Sequence, residues 1–269
     1  MLYSDNNLDK FFTNSNVAEF CVKNVLKIIP QKNRETFVGP SAGGGVFLQF
    51  LDNFIAFDID PIGKNIIKQN FLDLEKIDYN QKNTTIIGNP PFGSCSNLAI
   101  KFFNKSAEFG CYIAFIVPKT FRKISVHNKL NKYFHLINDI DIPDDSFVYN
   151  GDKYSVPCCF QIWQKKDFVR EKPVIKNDII DFVTKDDAQF AIRRVGGRAG
   201  KILDGLNYNA NSTYFCRAKN DDLLEKIKTV LQNTDFSNIV NSTAGVRSLS
   251  KQELIMELNK HNIINIKYD

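Results

Sequence analysis

No two cysteines stand at C-x-x-C spacing, although the chain has six: Cys21, Cys95, Cys111, Cys158, Cys159 and Cys216. Scattered in this way they read as reduced, mostly buried thiols of an intracellular, cytoplasmic protein. Cys158 and Cys159 adjoin in an apparent strand and are expected on its opposite faces. The three histidines are isolated, so no metal site is expected. No apolar run approaches the ~18 residues that span a membrane. The first residues, with Asp5 and Asp9, lack the character of a signal peptide. Internal repeats and long low-complexity tracts are missing too, and the formal net charge of +5 is mild. How the charge is distributed therefore matters more than its sum.

What is present is ordinary in bulk. The 269 residues suffice for one large domain, or one of common size with a smaller companion. A hydrophobic share of 43% and a charged share of 24% are those of a soluble globular protein. Richness in Asn, Lys, Ile and Phe is the usage an AT-rich genome imposes, as in a phage, a virus or a low-GC bacterium.

The informative stretch is Asn89-Pro90-Pro91-Phe92. It follows the apolar run Thr84–Ile87 and Gly88, a pattern for a buried parallel strand that ends in a rigid turn. Each proline fixes its own φ, and Asn89, preceding a proline, is held extended. An amide and an aromatic ring are thus expected side by side at the carboxyl end of a strand, where open α/β sheets bind ligands. Asn-Pro is also an ordinary turn dipeptide, so the rest of the chain has to decide. Phe37-Val38-Gly39 runs into Pro40-Ser41-Ala42-Gly43-Gly44-Gly45 and then into an apolar helical start. Glycines there let the backbone approach a ligand and offer N–H groups at a helix start. The next strand, Phe54–Phe57, ends in Asp58-Ile59-Asp60-Pro61, an acid where a ribose diol is usually held. Together the glycines and Asp58 point to a bound adenosine.

Residues 11–29 carry a helical stripe (Val17, Phe20, Cys21, Val25, Ile28) capped by Asn16 or Ser15. Few residues separate Pro61 from the next strand end at Asn70-Phe71, so a crossover helix there is very short or absent. Further helices are expected at 97–109 and 128–133, and strands at 111–117, 134–142 and 155–163. The expected fold is α/β, doubly wound on a mostly parallel seven-stranded sheet. Residues 1–165 form this domain, and 166–269 form a smaller recognition region. Between Ala188 and Asn220 six Lys/Arg (Arg193, Arg194, Arg198, Lys201, Arg217, Lys219) face one acid, Asp204. A basic loop threaded with Gly196, Gly197 and Gly200 suits phosphates. Helices are expected at 221–231 and at 250–259, the latter capped by Ser250.

In this order the motifs resemble the S-adenosylmethionine-dependent methyltransferases that act on N6 of adenine in DNA, in their gamma-type arrangement. The resemblance rests on Phe12-Thr13, the Pro40–Phe47 turn, Asp58–Pro61 and Asn89–Phe92, and covers about residues 11–165. It implies a class I methyltransferase-like, Rossmann-like fold, with S-adenosylmethionine as cofactor and double-stranded DNA as partner. It also implies roles. Phe12, Thr13, Pro40, Ser41, Ala42, Gly43 and Gly45 would line the cofactor's methionine and ribose side. Asp58 would accept from the ribose, Ile59 and Phe71 would flank the cofactor adenine, and Asn70 would accept from its amine. Asn89 and the Pro90 carbonyl would accept from the target amine, with Pro91 setting the turn and Phe92 stacking on the flipped base. Phe147 falls where a second stacking aromatic often lies, and Arg193, Arg194, Arg198 and Lys201 would contact DNA. Two positions depart from the family: Gly39 stands where an acid is common, and Asn70 where Asp is usual. RNA adenine, a protein glutamine, or an inactive nucleic-acid-binding subunit are the alternatives. The sequence identifies no partner nuclease or subunit.

Overall fold

A computed structural model describes residues 11–75, 80–143, 145–149, 152–173, 175–242, 246–261 and 263. Asp5 and Asp9 lie outside them. The chain divides into two compact units, Met1–Glu171 and Lys172–Asp269. Among the described residues, no helix is long and apolar enough to cross a membrane.

In the first unit the elements run β1 (Phe12–Thr13), α1 (Ser15–Ile28), β2 (Thr36–Gly39), β3 (Phe54–Asp58), β4 (Ile66–Lys68) and β5 (Thr84–Gly88). They continue as α2 (Asn97–Ser106), β6 (Tyr112–Pro118), α3 (Ile124–His127), β7 (Phe134–Asp141), β8 (Phe147–Tyr149), β9 (Asp152–Tyr154) and β10 (Cys158–Lys165). Seven strands form one sheet in the order β4-β3-β2-β5-β6-β10-β7. Every neighbour is parallel except β10, which is antiparallel to both β6 and β7. A second, three-stranded antiparallel sheet has the order β1-β8-β9.

The main sheet is covered on both faces. One cluster joins Val17, Cys21 and Val25 of α1 to Phe37, Ile87, Ile116 and Phe160. The other joins Phe102 and Phe103 of α2 to Val38, Ile86, Ile113 and Trp163. Adjacent strand residues serve opposite clusters, as period two requires: Ile86 and Ile87, and likewise Cys159 and Cys158. No helix separates β3 from β4.

Two local expectations are corrected. Residues 128–133 are turns, not a helix. The Asn131 side chain accepts from the Tyr133 N–H, and the Asn131 N–H donates to Asn104 Oδ1. Such side-chain bonds compete with a helical ladder. Asn14, neither Ser15 nor Asn16, is the N-cap of α1, and its side chain makes no capping bond.

All six cysteines are free, and burial raises the thiols of Cys21 and Cys158 and pushes those of Cys159 and Cys216 to about 12. Only the thiolate alkylates. Brief iodoacetamide treatment of the native protein at pH 8 is therefore expected to label exposed Cys95 first. Mass spectrometry showing equally fast labelling of Cys159 or Cys216 would contradict this packing.

The second unit is built on a four-stranded antiparallel sheet, ordered β11-β14-β12-β13. Its strands are β11 (Ile180–Phe182), β12 (Phe190–Arg193), β13 (Ile202–Leu203) and β14 (Thr213–Ala218). Helices α4 (Leu224–Asn233), α5 (Ser237–Val240) and α6 (Lys251–Lys260) come next, and Ile227, Leu231, Leu254 and Leu258 pack with Ile180, Ile192 and Cys216. Ser250 caps α6 in a reciprocal pair with Glu253.

Candidate active site at the carboxyl ends of β2 and β5

Strand order reverses at β2, which has β3 on one side and β5 on the other. Ligands of open α/β sheets lie at such a switch point, beyond the carboxyl ends of the strands. Pro40 leaves β2 and Asn89 leaves β5 at that place. A cavity of about 850 Å³ opens there. Its wall includes ten of the eleven residues assigned to the cofactor: Phe12, Thr13, Pro40, Ser41, Ala42, Gly43, Asp58, Ile59, Asn70 and Phe71. Gly45, the eleventh, is not in the wall; in the left-handed region at φ +79°, it starts a short 3-10 turn.

The glycine-rich turn is held from within. Asp58 Oδ2 accepts from the Gly43 N–H at 2.7 Å, and Oδ1 accepts from the Asp60 N–H at 2.8 Å. The Gly45 N–H donates to the Ala42 carbonyl. The Gly43 and Gly45 amides are therefore engaged inside the protein, while Gly43 and Gly44 remain in the cavity wall. The loop between β3 and β4 is latched on as well, because the Ile62 and Gly63 N–H groups both donate to the Gly43 carbonyl. A Cβ at Gly63 would stand 2.7 Å from the Gly44 carbonyl oxygen, so only glycine fits that approach. A carboxylate has about four acceptor sites. Asp58, in the wall, thus retains capacity for a ligand hydroxyl.

Asn89 faces the same cavity from the β5 side. Its Nδ2 donates to the Phe11 carbonyl at 3.3 Å, and its own carbonyl accepts from Ser41 Oγ at 3.2 Å. Its Oδ1 is shielded from solvent and has no hydrogen-bond partner among the described residues. An unpaired buried acceptor costs about 1–3 kcal/mol. Pro91 is in the wall, whereas Pro90 and Phe92 are not. The Phe92 carbonyl accepts from the Leu98 and Ala99 N–H groups at the start of α2, which anchors the motif.

Phe147 does not present a stacking face. It is fully buried in the α1-side cluster, its ring edge-on to Phe92 at 6.4 Å and 83°. Its place in β8 turns it inward, so it braces Phe92. Phe147→Ala is accordingly expected to cost about 3–5 kcal/mol of stability, read by chemical denaturation. A loss below 1 kcal/mol would contradict the brace.

The two departures also have local causes. A Cβ on Gly39 would lie 2.7 Å from Cε1 of Phe54, whose ring takes the space of a side chain. Asn70 Oδ1 accepts from the Leu72 N–H, and Nδ2 donates to Asp73 at 2.8 Å. The amide oxygen expected to accept from an adenine amine is thus already engaged with the backbone. Phe71 is buried and stacks on Phe102 at 6.1 Å, with both in the cavity wall. Phe11, Phe47, Gln49, Leu98 and Phe102 also line the cavity. Nothing in the spacing of these residues separates wall from core.

In the second unit, Arg193 and Arg194 are not on a free loop. Arg193 ends β12, donates to Ser212 Oγ and lies 5.4 Å from the Tyr208 ring centre; Arg194 lies 5.2 Å from that of Tyr214. Arg198 and Lys201 are exposed on the turn beyond β12.

No family model matches the chain, and no curated protein matches it. Solved structures do. One is a provisionally assigned RNA methyltransferase from Pyrococcus horikoshii, 16% identical over 61% of this chain and 92% of that one, at TM-score 0.44. Another is a provisionally assigned class I S-adenosylmethionine-dependent methyltransferase from Listeria monocytogenes, 17% identical over 60% of this chain and 63% of that one, at TM-score 0.43. Similarity this distant says nothing about what the present chain binds or does. The fold rests on its own sheet order.

Proposed function

We propose that the chain transfers the methyl group of S-adenosylmethionine to the N6 amine of an adenine in DNA. The observation that carries this is Asn89 Oδ1, a buried acceptor without a partner in the wall of a cavity that also holds a strand-end acid. A volume near 850 Å³ lies within the roughly 300–1,000 Å³ of small-molecule sites. The residues fit the cofactor: Asp58 retains acceptor sites for ribose hydroxyls, and Ile59, Phe71 and Phe102 offer apolar walls for a purine. The cofactor, when bound, supplies an electrophilic methyl on sulfur.

An adenine amine is a poor nucleophile because its lone pair is delocalised into the ring. Asn89 Oδ1 and the Pro90 carbonyl, accepting its two hydrogens, favour a pyramidal nitrogen whose lone pair displaces the sulfur from the methyl carbon, and the surplus amine proton then leaves to water. Fixed acceptors need no reorganisation during the reaction, and alignment supplies several kcal/mol more. The amide is neutral, so it accepts without strongly attracting a sulfonium. The amine of a duplex base lies in the stack, so the base must be extruded. We assign Phe92, which is braced edge-on by Phe147 and lies outside the cavity wall, to stack on that base.

The test is incubation with labelled cofactor and DNA or RNA, then digestion and nucleoside analysis. N6-methyladenine in DNA is expected. Label in RNA alone would move the substrate, and label in neither would end the reading. Contact with the nucleic-acid backbone falls to Arg198 and Lys201, because Arg193 and Arg194 are engaged with Tyr208 and Tyr214. Alanine at Arg198 and Lys201 is expected to flatten the log–log salt dependence of DNA binding by roughly 0.9 per lost phosphate contact. Titrations at several salt concentrations giving an unchanged slope would place the contact elsewhere.

A further inference from the structure

An asparagine carboxamide has an acceptor end and a donor end of nearly the same shape, exchanged by a half-turn of its last torsion. Only the acceptor end helps against an amine, since a turned carboxamide would set hydrogens against hydrogens. Something must choose the end. The Phe11 carbonyl, 3.3 Å from Asn89 Nδ2, does so. Turning the amide would bring Oδ1 against that carbonyl, acceptor against acceptor. Ser41 Oγ meanwhile fixes the Asn89 main chain.

Phe11 is anchored by the three residues after it in the chain. Phe12 and Thr13 pair with Val148 and Phe147 of β8. Beyond them the Asn14 N–H donates to the Ser146 carbonyl at 3.0 Å, and Asn14 Nδ2 donates to the Asp145 carbonyl at 2.6 Å. Asn14 occupies the N-cap of α1 yet makes no side-chain cap bond. Its side chain ties the first strand to the approach of β8 instead. Phe147 of β8 then presses edge-on against Phe92.

We propose that the small sheet β1-β8-β9 is the positioning element of this site. Through the Phe11 carbonyl it fixes which end of the Asn89 amide is free, and through Phe147 it fixes the Phe92 ring. The inference rests on the methyl-transfer reading for its purpose, but not for its geometry. Asn14, which is not in the cavity wall, is the residue through which to test it.

With asparagine labelled in nitrogen-15, the Asn89 carboxamide protons can be tracked by exchange with solvent in the free protein. Asn14→Ala is expected to speed their exchange at least tenfold. Single-turnover transfer at saturating cofactor is expected to fall at least tenfold, with cofactor affinity changing less. In an Asn89→Asp background, where both ends of the group are oxygens, the same Asn14→Ala change is expected to cause a smaller proportional loss, the part that runs through Phe147. Val148→Pro, which disturbs the β8 ladder directly, should act in the same direction, provided that denaturation shows it folded. Unchanged Asn89 exchange in Asn14→Ala overturns the proposal, and so does an equal proportional loss in both backgrounds. A wild-type protein that responds in exchange but transfers no methyl group to any substrate leaves the lock standing and removes the methyl-transfer reading.

Discussion

Replacing Asn89 with alanine is expected to abolish methyl transfer and leave cofactor affinity within about twofold. The side chain sits on the β5 side of the cavity, and its Oδ1 has no partner among the described residues. Removing one preorganised hydrogen-bonding group from an active site costs about 10²–10³ in rate. Here the loss should be at least that large, because in the proposed reaction Asn89 is the side chain that accepts from the amine. Stability should hardly change, since the substitution deletes one 3.3 Å bond and also an unsatisfied acceptor. Single-turnover assays beside calorimetric titration separate the two effects. If affinity fell in step with rate, Asn89 would belong to the cofactor's side of the cavity.

The second large effect belongs to Asp58. On the proposed binding mode, Asp58→Ala is expected to remove a charge-assisted bond to the ribose, about 1.5–3 kcal/mol, or roughly ten- to a hundredfold in affinity. It also strips the Gly43 and Asp60 N–H groups of their acceptor, so the turn itself loosens. The combined loss should exceed the single-bond figure. Asp58→Asn tests the division, because its one amide oxygen can satisfy only part of what the carboxylate does. An intermediate affinity is expected, with the alanine variant weakest. Unchanged affinity in the alanine variant would mean that the cofactor does not bind in this cradle.

Much of the site's framework was legible because its signals are short-range. Strand ends at Gly39, Asp58 and Gly88 announce themselves through glycine, acid and proline. The cap of α6 is written as Ser250 with Glu253 three residues on. What escaped depends on partners far along the chain. The strands β1 and β8 are two and three residues long, too short for any periodicity to show, and exist because they pair with each other. The same pairing turns Phe147 from a presumed stacking face into a buried brace. Gly39 reads as a lost acid by sequence, whereas the Phe54 ring fills the place of its side chain. In the second unit the helices and a basic loop are legible, but no strand is. Its sheet is made of strands of two to six residues, too short for a period to show and buried at successive positions rather than alternate ones in β12 and β14.

Arg170 bears on where the first unit can be cut. Its guanidinium donates to the carbonyls of His127, Leu130, Asn131 and Phe134 and lies 5.3 Å from the Trp163 ring centre. The Arg170 and Lys166 N–H groups donate to the Lys132 and Tyr133 carbonyls. This charged stretch, which reads as linker by composition, thus serves as a hydrogen-bonded clasp over the turns ahead of β7. The sequence-drawn boundary at 165 stops short of it, while the compact unit runs on to Glu171. A fragment ending at Lys165 would leave those carbonyls bare and the indole uncovered, and should be prone to aggregate through the loosened β7 edge. One that retains Arg170 keeps its last strand stapled.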